Sequence, residues 1–183
     1  MRQVTAHLFS SIDGVVESPN LFQFGAFGPE EGAAMGRVLT PVTDVILGRR
    51  IYEEWADYWP ASPGDPFGNF INPVRKHVAS RTLTGPLTWQ NSQLIEGDLL
   101  DYVTELKAGE GGDISVNGIS VIRQLLMAGL IDALTLTVHP ASGGVGKRLF
   151  DGIDTPVRLE LVEGQVTSVG NAMMTYRLRP TEA

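Results

Sequence analysis

The chain of 183 residues contains no cysteine, which excludes disulfides, thiolate metal sites and thiol catalysis. It also lacks a basic face: 14 Lys and Arg stand against 21 Asp and Glu, for a formal charge of −7. No Lys/Arg cluster offers nucleic acid a footing. Apolar runs are short, so no membrane span is expected, and "MRQVTAHLF" at the N-terminus has neither the apolar run nor the cleavage site of a signal peptide. Repeats and low-complexity tracts are absent. So is the G-x-G-x-x-G of a Rossmann site. "ASGGVGKR" (141–148) is a failed P-loop: Ala141 stands where the first glycine belongs, and Arg148 replaces the Ser or Thr that would hold Mg²⁺. His7, His77 and His139 lie far apart without metal-ligand spacing, so no metal site is expected. Each reads as a strand histidine with a satisfied hydrogen bond.

What remains is 43% hydrophobic and 19% charged residues, enough for one compact domain over 1–183 with a real core and an expected cytoplasmic location. Val4, Ala6 and Leu8 alternate with Gln3, Thr5 and His7, the pattern of a strand. A loop from Glu17 to Gly28 carries Phe22, Phe24 and Phe27, apolar surface suited to closing over something flat or packing on a partner. Pro29-Glu30-Glu31 opens a helix, with proline in its first turn and acids at its positive end. "DVILG" (44–48) is a buried strand and "RRIYEEW" a helix. The Pro- and Gly-rich stretch 60–73 reads as a loop. "KHVAS" and part of "LTWQNSQLI" are strands; Asp98 caps the next helix. "GDISVN" leads into a helix with Ile122, Leu125 and Leu126 inward and Gly129 at its end. "DALTLTVHP" is a strand, and the rest folds as a hairpin turning on Gly170-Asn171. Strands alternating with helices predict an α/β three-layer sandwich, mostly parallel, with an antiparallel C-terminal hairpin.

Three segments share one grammar: "ILGRRIYEE", "HVASRTL" and "SVNGISVI" each run from an apolar strand into Gly or Ser, with polar or helical residues following at once. Helix N-termini at the carboxyl ends of parallel strands attract phosphate, glycine allows close backbone approach, and arginine grips phosphate bidentately. Any one of these turns can be purely structural. Three together, two with arginine, favour a dinucleotide carrying an extra phosphate. Tyr52, Trp55 and Trp59 are candidates for a pocket wall, although aromatics at helical spacing equally serve a core. In "SSIDGVVE", Asp-Gly is a common turn pair, and Asp13 is placed at the sheet's edge.

The ordered set "SSIDGVVE", "DVILGRRIYEEW", "WPASPGDPF", "KHVASRTL", "GDISVNGIS", "GLIDALTLTVHPASGGVGKRLFDG" and "MMTYRL" resembles the dihydrofolate reductase-like superfamily. It is most similar to stand-alone proteins related to the reductase (C-terminal) domain of the bifunctional riboflavin-biosynthesis deaminase–reductase. The resemblance implies an NADPH-dependent reductase and suggests a homodimer. It implies that Gly48, Arg49, Arg50, Ser80, Arg81 and Thr82 hold the cofactor's phosphates, and that Gly118, Ile119 and Ser120 meet its pyrophosphate. Ile51 replaces a family threonine, and Asn117-Gly118 stands where folate reductases have Gly-Gly. Glu30 and Glu31 lie in the helix that bears the folate reductases' acid. The expected reaction is hydride transfer to a small heteroaromatic compound, with Phe22, Phe24, Tyr52, Trp55 and Trp59 lining the substrate and Asp13 as proton donor. The alternatives are reduction of 5-amino-6-(5-phosphoribosylamino)uracil in riboflavin biosynthesis, or nucleotide binding without turnover.

Overall fold

The computed structural model describes residues 1–179. Its frame is an eight-stranded sheet of β1 (Val4–Ser11), β2 (Val42–Gly48), β3 (Arg75–Ala79), β4 (Ser92–Leu94), β5 (Asp113–Asn117), β6 (Ala133–His139), β7 (Leu159–Val166) and β8 (Ala172–Leu178), in the order β4-β3-β2-β5-β1-β6-β8-β7. Pairings from β4 through β6 are parallel; β8 runs antiparallel to both β6 and β7. The helices are α1 (Pro29–Leu39), α2 (Arg49–Tyr58), α3 (Pro66–Ile71), α4 (Leu99–Ala108) and α5 (Ile119–Met127). This is the expected sandwich, a mostly parallel sheet ending in an antiparallel hairpin.

Local signals explain most boundaries. Asp98 accepts from the N–H groups of Leu100 and Asp101 and so starts α4. Glu31 reaches back to the N–H of Gly28, closing the first turn of α1. Gly129, at φ 71°, follows the end of α5. The terminal turn spans Thr167 to Asn171, with Gly170 at φ 89°. One expectation fails: 60–73 is not all loop. Asp65 accepts from Phe67 and Gly68 N–H and Pro66 takes the first helical position, which together start α3 despite the density of Pro and Gly.

Parallel register puts one set of residues on each face. On the first, Val4, Ala6, Ile46, Ile114, Val116 and Leu134 are buried against Val103 of α4 and Ile122, Leu125 and Leu126 of α5. Truncating Leu125 or Leu126 to alanine costs about 2–5 kcal/mol in such a setting. The second face has an apolar cluster only at one end, where Val45, Leu47 and Val78 meet Tyr52, Ile71 and Trp89. Its middle, over β1 and β5, is polar: Thr5, His7, Ser115 and Asn117.

Candidate active site

That polar strip floors a cleft of about 2180 Å³. Met35, Gly36 and Leu39 of α1 line it, as do Trp55 of α2, Trp59 directly after α2, Phe67 of α3, and Phe9 and Phe27. All three strand-end turns open into it. Gly48, Arg49 and Arg50 come from the β2–α2 junction, Ser80, Arg81 and Thr82 follow β3, and Gly118, Ile119 and Ser120 begin α5. The nine residues assigned to cofactor phosphates are therefore brought together along one surface.

Their geometry is built for close approach. Gly118 adopts φ 108°, and a Cβ there would lie 3.1 Å from Gly48 N and 3.2 Å from Gly48 Cα. The two turns thus touch backbone to backbone, with both helix N-termini facing the cleft. Ser80 Oγ accepts from the N–H groups of Thr82 (3.1 Å) and Leu83 (2.9 Å), holding the turn that presents Arg81. Arg49 pairs with Glu53 one helical turn on, and Arg50 with Glu17 at 3.2 Å. Glu17 also accepts from Lys147 Nζ at 2.7 Å. The Lys147 hydrogen bond is the main reason its carboxyl lies below the usual range. Arg81 has no ion pair among the described residues.

Several expected substrate residues are elsewhere. Phe22 is sealed in the interior beside His139, at 6.0 Å between ring centroids. Phe24 is 81% exposed on the loop and does not line the cleft. Tyr52 is buried in the apolar cluster, its ring 6.2 Å from that of Trp89 and its hydroxyl accepting from Trp89 N–H. Trp55 and Trp59 do line the cleft while also packing on Phe67. Phe27 is the loop aromatic that reaches it.

Asp13 is also displaced from its expected role. Ser11 Oγ donates to its carboxylate at 2.6 Å, Gly143 N–H at 2.7 Å, and Gly144 N–H and Ser142 Oγ at 3.2 Å each. The Ser11 hydroxyl foremost, then the Gly143 N–H, hold this carboxyl far below the usual carboxylate range. A group so firmly ionised cannot keep a proton to donate near neutrality, and Asp13 lies outside the cleft lining. Its work is structural. It pins the loop "ASGGVGKR", whose failed P-loop glycines instead admit Val15: a Cβ at Gly143 would sit 2.6 Å from Val15 Cβ.

The helix-borne acids are likewise occupied. Glu30 takes the Ser168 hydroxyl, and fully buried Glu31 accepts from Asn171 Nδ2 at 2.6 Å. Burial pushes the Glu31 carboxyl up, but hydrogen bonds, led by the Thr167 and Asn171 side chains, outweigh it and hold it below its ordinary range. Of the histidines, His77 bonds Asp44 and Tyr102, and His7 bonds Thr137. His139 departs from expectation: it is buried and neither ring nitrogen has a hydrogen-bond partner among the described residues. Burial drives its pKa down, against the opposing charge of Glu31 and the Asn171 side chain.

Residues 2–173 match the family model described as the RibD C-terminal domain. The chain belongs to the RibD C-terminal domain family. It is 26% identical over 182 residues to YyaP, an uncharacterized protein of Bacillus subtilis (strain 168), covering 96% of this chain and 94% of that one. Among solved structures, a putative riboflavin biosynthesis protein from Shewanella sp. PV-4 superposes with a TM-score of 0.76 at 19% identity, covering 97% and 99% of the two chains. The Thermotoga maritima diaminohydroxyphosphoribosylaminopyrimidine deaminase/5-amino-6-(5-phosphoribosylamino)uracil reductase gives 0.65 at 13%, with 97% of this chain matching 57% of that one. Enterococcus faecalis dihydrofolate reductase, complexed with NADP(H) and RAB-propyl, gives 0.62 at 16%, covering 97% of each. At these identities the superpositions speak to the fold.

Of the floor residues, Thr5 and His7 show in the alternation of β1 and Asn117 in the Asn117-Gly118 junction, whereas the sequence alone assigns no role to Phe9 or Ser115. Central strands of a parallel sheet are ordinarily apolar on both faces, so once the sheet order sets β1 between β5 and β6, its polar face marks a wet cleft rather than an outer surface. Lys147 and Glu17 carry no such local signal.

Proposed function

We propose that this member of the family is an NADPH-dependent oxidoreductase that passes a hydride to a small heteroaromatic compound. The observation that carries the reading is the convergence of the Gly48-Arg49-Arg50, Ser80-Arg81-Thr82 and Gly118-Ile119-Ser120 turns on one cleft that also has a polar floor. The fit to a dinucleotide is good. Beside the Gly48–Gly118 contact start α2 and α5, neither with a side-chain cap, so their first N–H groups are available to a pyrophosphate. Arg81, unpaired among the described residues, is suited to the adenosine 2′-phosphate. When bound, the reduced nicotinamide supplies the hydride. The protein's share is to bind, orient and exclude water, with Phe9, Phe27, Trp55 and Trp59 as flat apolar walls.

Titrating NADPH and NADH against thermal unfolding tests the reading, since a ligand of the native state raises the melting temperature. NADPH is expected to raise it more than NADH. If neither does, the reading fails. Consumption of NADPH is then followed with dihydrofolate, dihydropterins and flavin precursors; binding without consumption of NADPH by any of them favours a nucleotide-binding protein without turnover.

A second reading, reduction of 5-amino-6-(5-phosphoribosylamino)uracil, is supported by Lys147 and Arg50. Both face the cleft and share the Glu17 carboxylate, which marks a place where a substrate phosphate could be held. We further propose a homodimer. Among the described residues, edge strand β7 pairs only with β8, and it exposes Leu161, Val162 and Val166; light scattering on the eluted protein checks it.

A further inference from the structure

Among the cleft residues carried by the sheet strands and α1, His7 is the only titratable one. Its Nε2 lies 2.8 Å from Thr137 Oγ1, on the neighbouring strand β6, and Thr137 is fully buried. Nδ1 has no hydrogen-bond partner among the described residues, and it is not one of the buried orphan atoms. One edge of the ring is therefore anchored and the other is open to the cleft. The imidazole stands 5.2 Å from the Phe9 ring, which in turn meets Phe27 at 6.2 Å, so a flat ligand lying against these aromatics brings its edge to His7. Glu30 is committed to Ser168, Glu31 to Asn171 and Asp13 to the loop of Gly143, and the carboxylates that line the cleft, Glu17, Glu54, Asp65 and Asp98, stand on α2 or on loops rather than on the strand floor that carries His7.

Resting on the reductase reading, we infer that His7, oriented by Thr137, is the side chain that recognises the substrate's polar edge, and that it selects an uncharged ring bearing carbonyl and N–H groups over a cationic diamino-substituted one. Burial pushes the His7 pKa down to about 4, so the ring is neutral at physiological pH. A neutral imidazole offers one lone pair or one N–H. The Thr137 hydroxyl can donate or accept, so Nδ1 can take either role toward a ring amide. A protonated diaminopyrimidine requires a carboxylate, and the floor has none.

The probes are lumazine, an uncharged pteridine-dione, and 2,4-diaminopyrimidine, which protonates readily. Binding of each is measured calorimetrically at pH 7 with NADPH present. The wild type is expected to favour lumazine. His7→Ala should weaken lumazine at least tenfold while leaving the NADPH-induced rise in melting temperature unchanged. His7→Asn should restore part of the affinity, because an amide also offers a donor and an acceptor. His7→Asp should reverse the preference toward the diamino ring, a change that loss of structural support cannot produce. Thr137→Val should weaken lumazine in the wild type and have no further effect beside His7→Ala. A wild-type preference for the diamino ring, or lumazine affinity within twofold after His7→Ala, overturns the inference. Absence of any NADPH effect on the wild type instead overturns the reductase reading; the His7 variants are then compared for lumazine alone, by the same twofold criterion.

Discussion

Replacing Gly118 by alanine tests whether the contact between two strand-end turns is the seat of cofactor binding. Gly118 sits at φ 108°, ψ 119°, a conformation that costs a residue with a side chain about 1–3 kcal/mol. The added methyl would also stand 3.1 Å from Gly48 N and 3.2 Å from Gly48 Cα, atoms of backbone that cannot rotate away. Forcing the β2–α2 turn aside adds a packing cost of about 1–3 kcal/mol. Gly170 is the control. It has φ 89° in the terminal turn, but a Cβ there meets nothing within 4 Å, so Gly170→Ala carries the backbone strain alone. Thermal unfolding should thus show Gly118→Ala losing about 2–12 °C more than Gly170→Ala, at about 2–4 °C per kcal/mol for a chain of this size. At NADPH a hundred times its wild-type Kd, the wild type and Gly170→Ala should gain about 2.7 kcal/mol. Gly118→Ala, with affinity reduced tenfold, should gain about 1.4 kcal/mol. Equal losses for the two variants refute the steric argument. An undiminished NADPH response in Gly118→Ala refutes the placement of the cofactor.

Other perturbations probe different physics. Arg81→Ala should weaken NADPH about 10- to 100-fold, the value of about 1.5–3 kcal/mol for hydrogen bonds to a charged group, and leave NADH unchanged; competitive titration separates the two. Asp44 is fully buried and accepts from Arg2, Thr43, Arg75 and His77. Asp44→Asn strands the buried Arg2 charge and should cost about 3–5 kcal/mol, read by urea denaturation, with much of the loss recovered on adding Arg2→Met. Lys76 is buried with its ammonium on the carbonyls of Asn72, Val74 and Gln90 and over the Trp89 ring, and burial lowers its pKa to about 8. Between that value and the ordinary 10.5 the unfolded chain binds more protons than the folded one, so this group's contribution to stability rises with pH through that window and is constant below it. The rise, at most about 3 kcal/mol, should vanish in Lys76→Met.

How far the sequence discloses this site depends on whether a residue's role is set by its neighbours in the chain or across the sheet. The strand-end turns were legible because both of their ingredients are local: a buried strand that runs into Gly or Ser, and helical or polar residues that follow at once, a helix after Gly48 and Gly118 and a loop after Ser80. Parallel pairing then forces Gly48, Ala79 and Asn117 to one end of the sheet, since β2 lies between β3 and β5. Side chains in loops had no such guarantee. Phe22 and Phe24 are two residues apart, yet one is sealed against His139 and the other is 81% exposed at φ 46°. Asp13 was displaced by a partner 130 positions later in the chain, Gly143 N–H, which no spacing rule anticipates.

His7 shows the remaining possibility, a signal present but misread. Its alternation with Ala6 and Leu8 was evidence for a strand with one wet face, and an exterior strand is the usual owner of such a face. The order of the sheet changes its meaning: β1 is flanked by β5 and β6, so its wet face looks into the molecule. A polar face on a central strand must meet either buried polar partners or a cleft. Among the described residues Thr5 Oγ1 is buried without a partner, while His7 bonds Thr137 through one nitrogen and turns the other to the cleft. Leaving a buried polar group unpaired costs about 1–3 kcal/mol, a cost that falls here on Thr5. The open nitrogen of His7, on the face opposite the apolar Val4, Ala6 and Val116, is the group that a bound ligand would satisfy on the proposed reading.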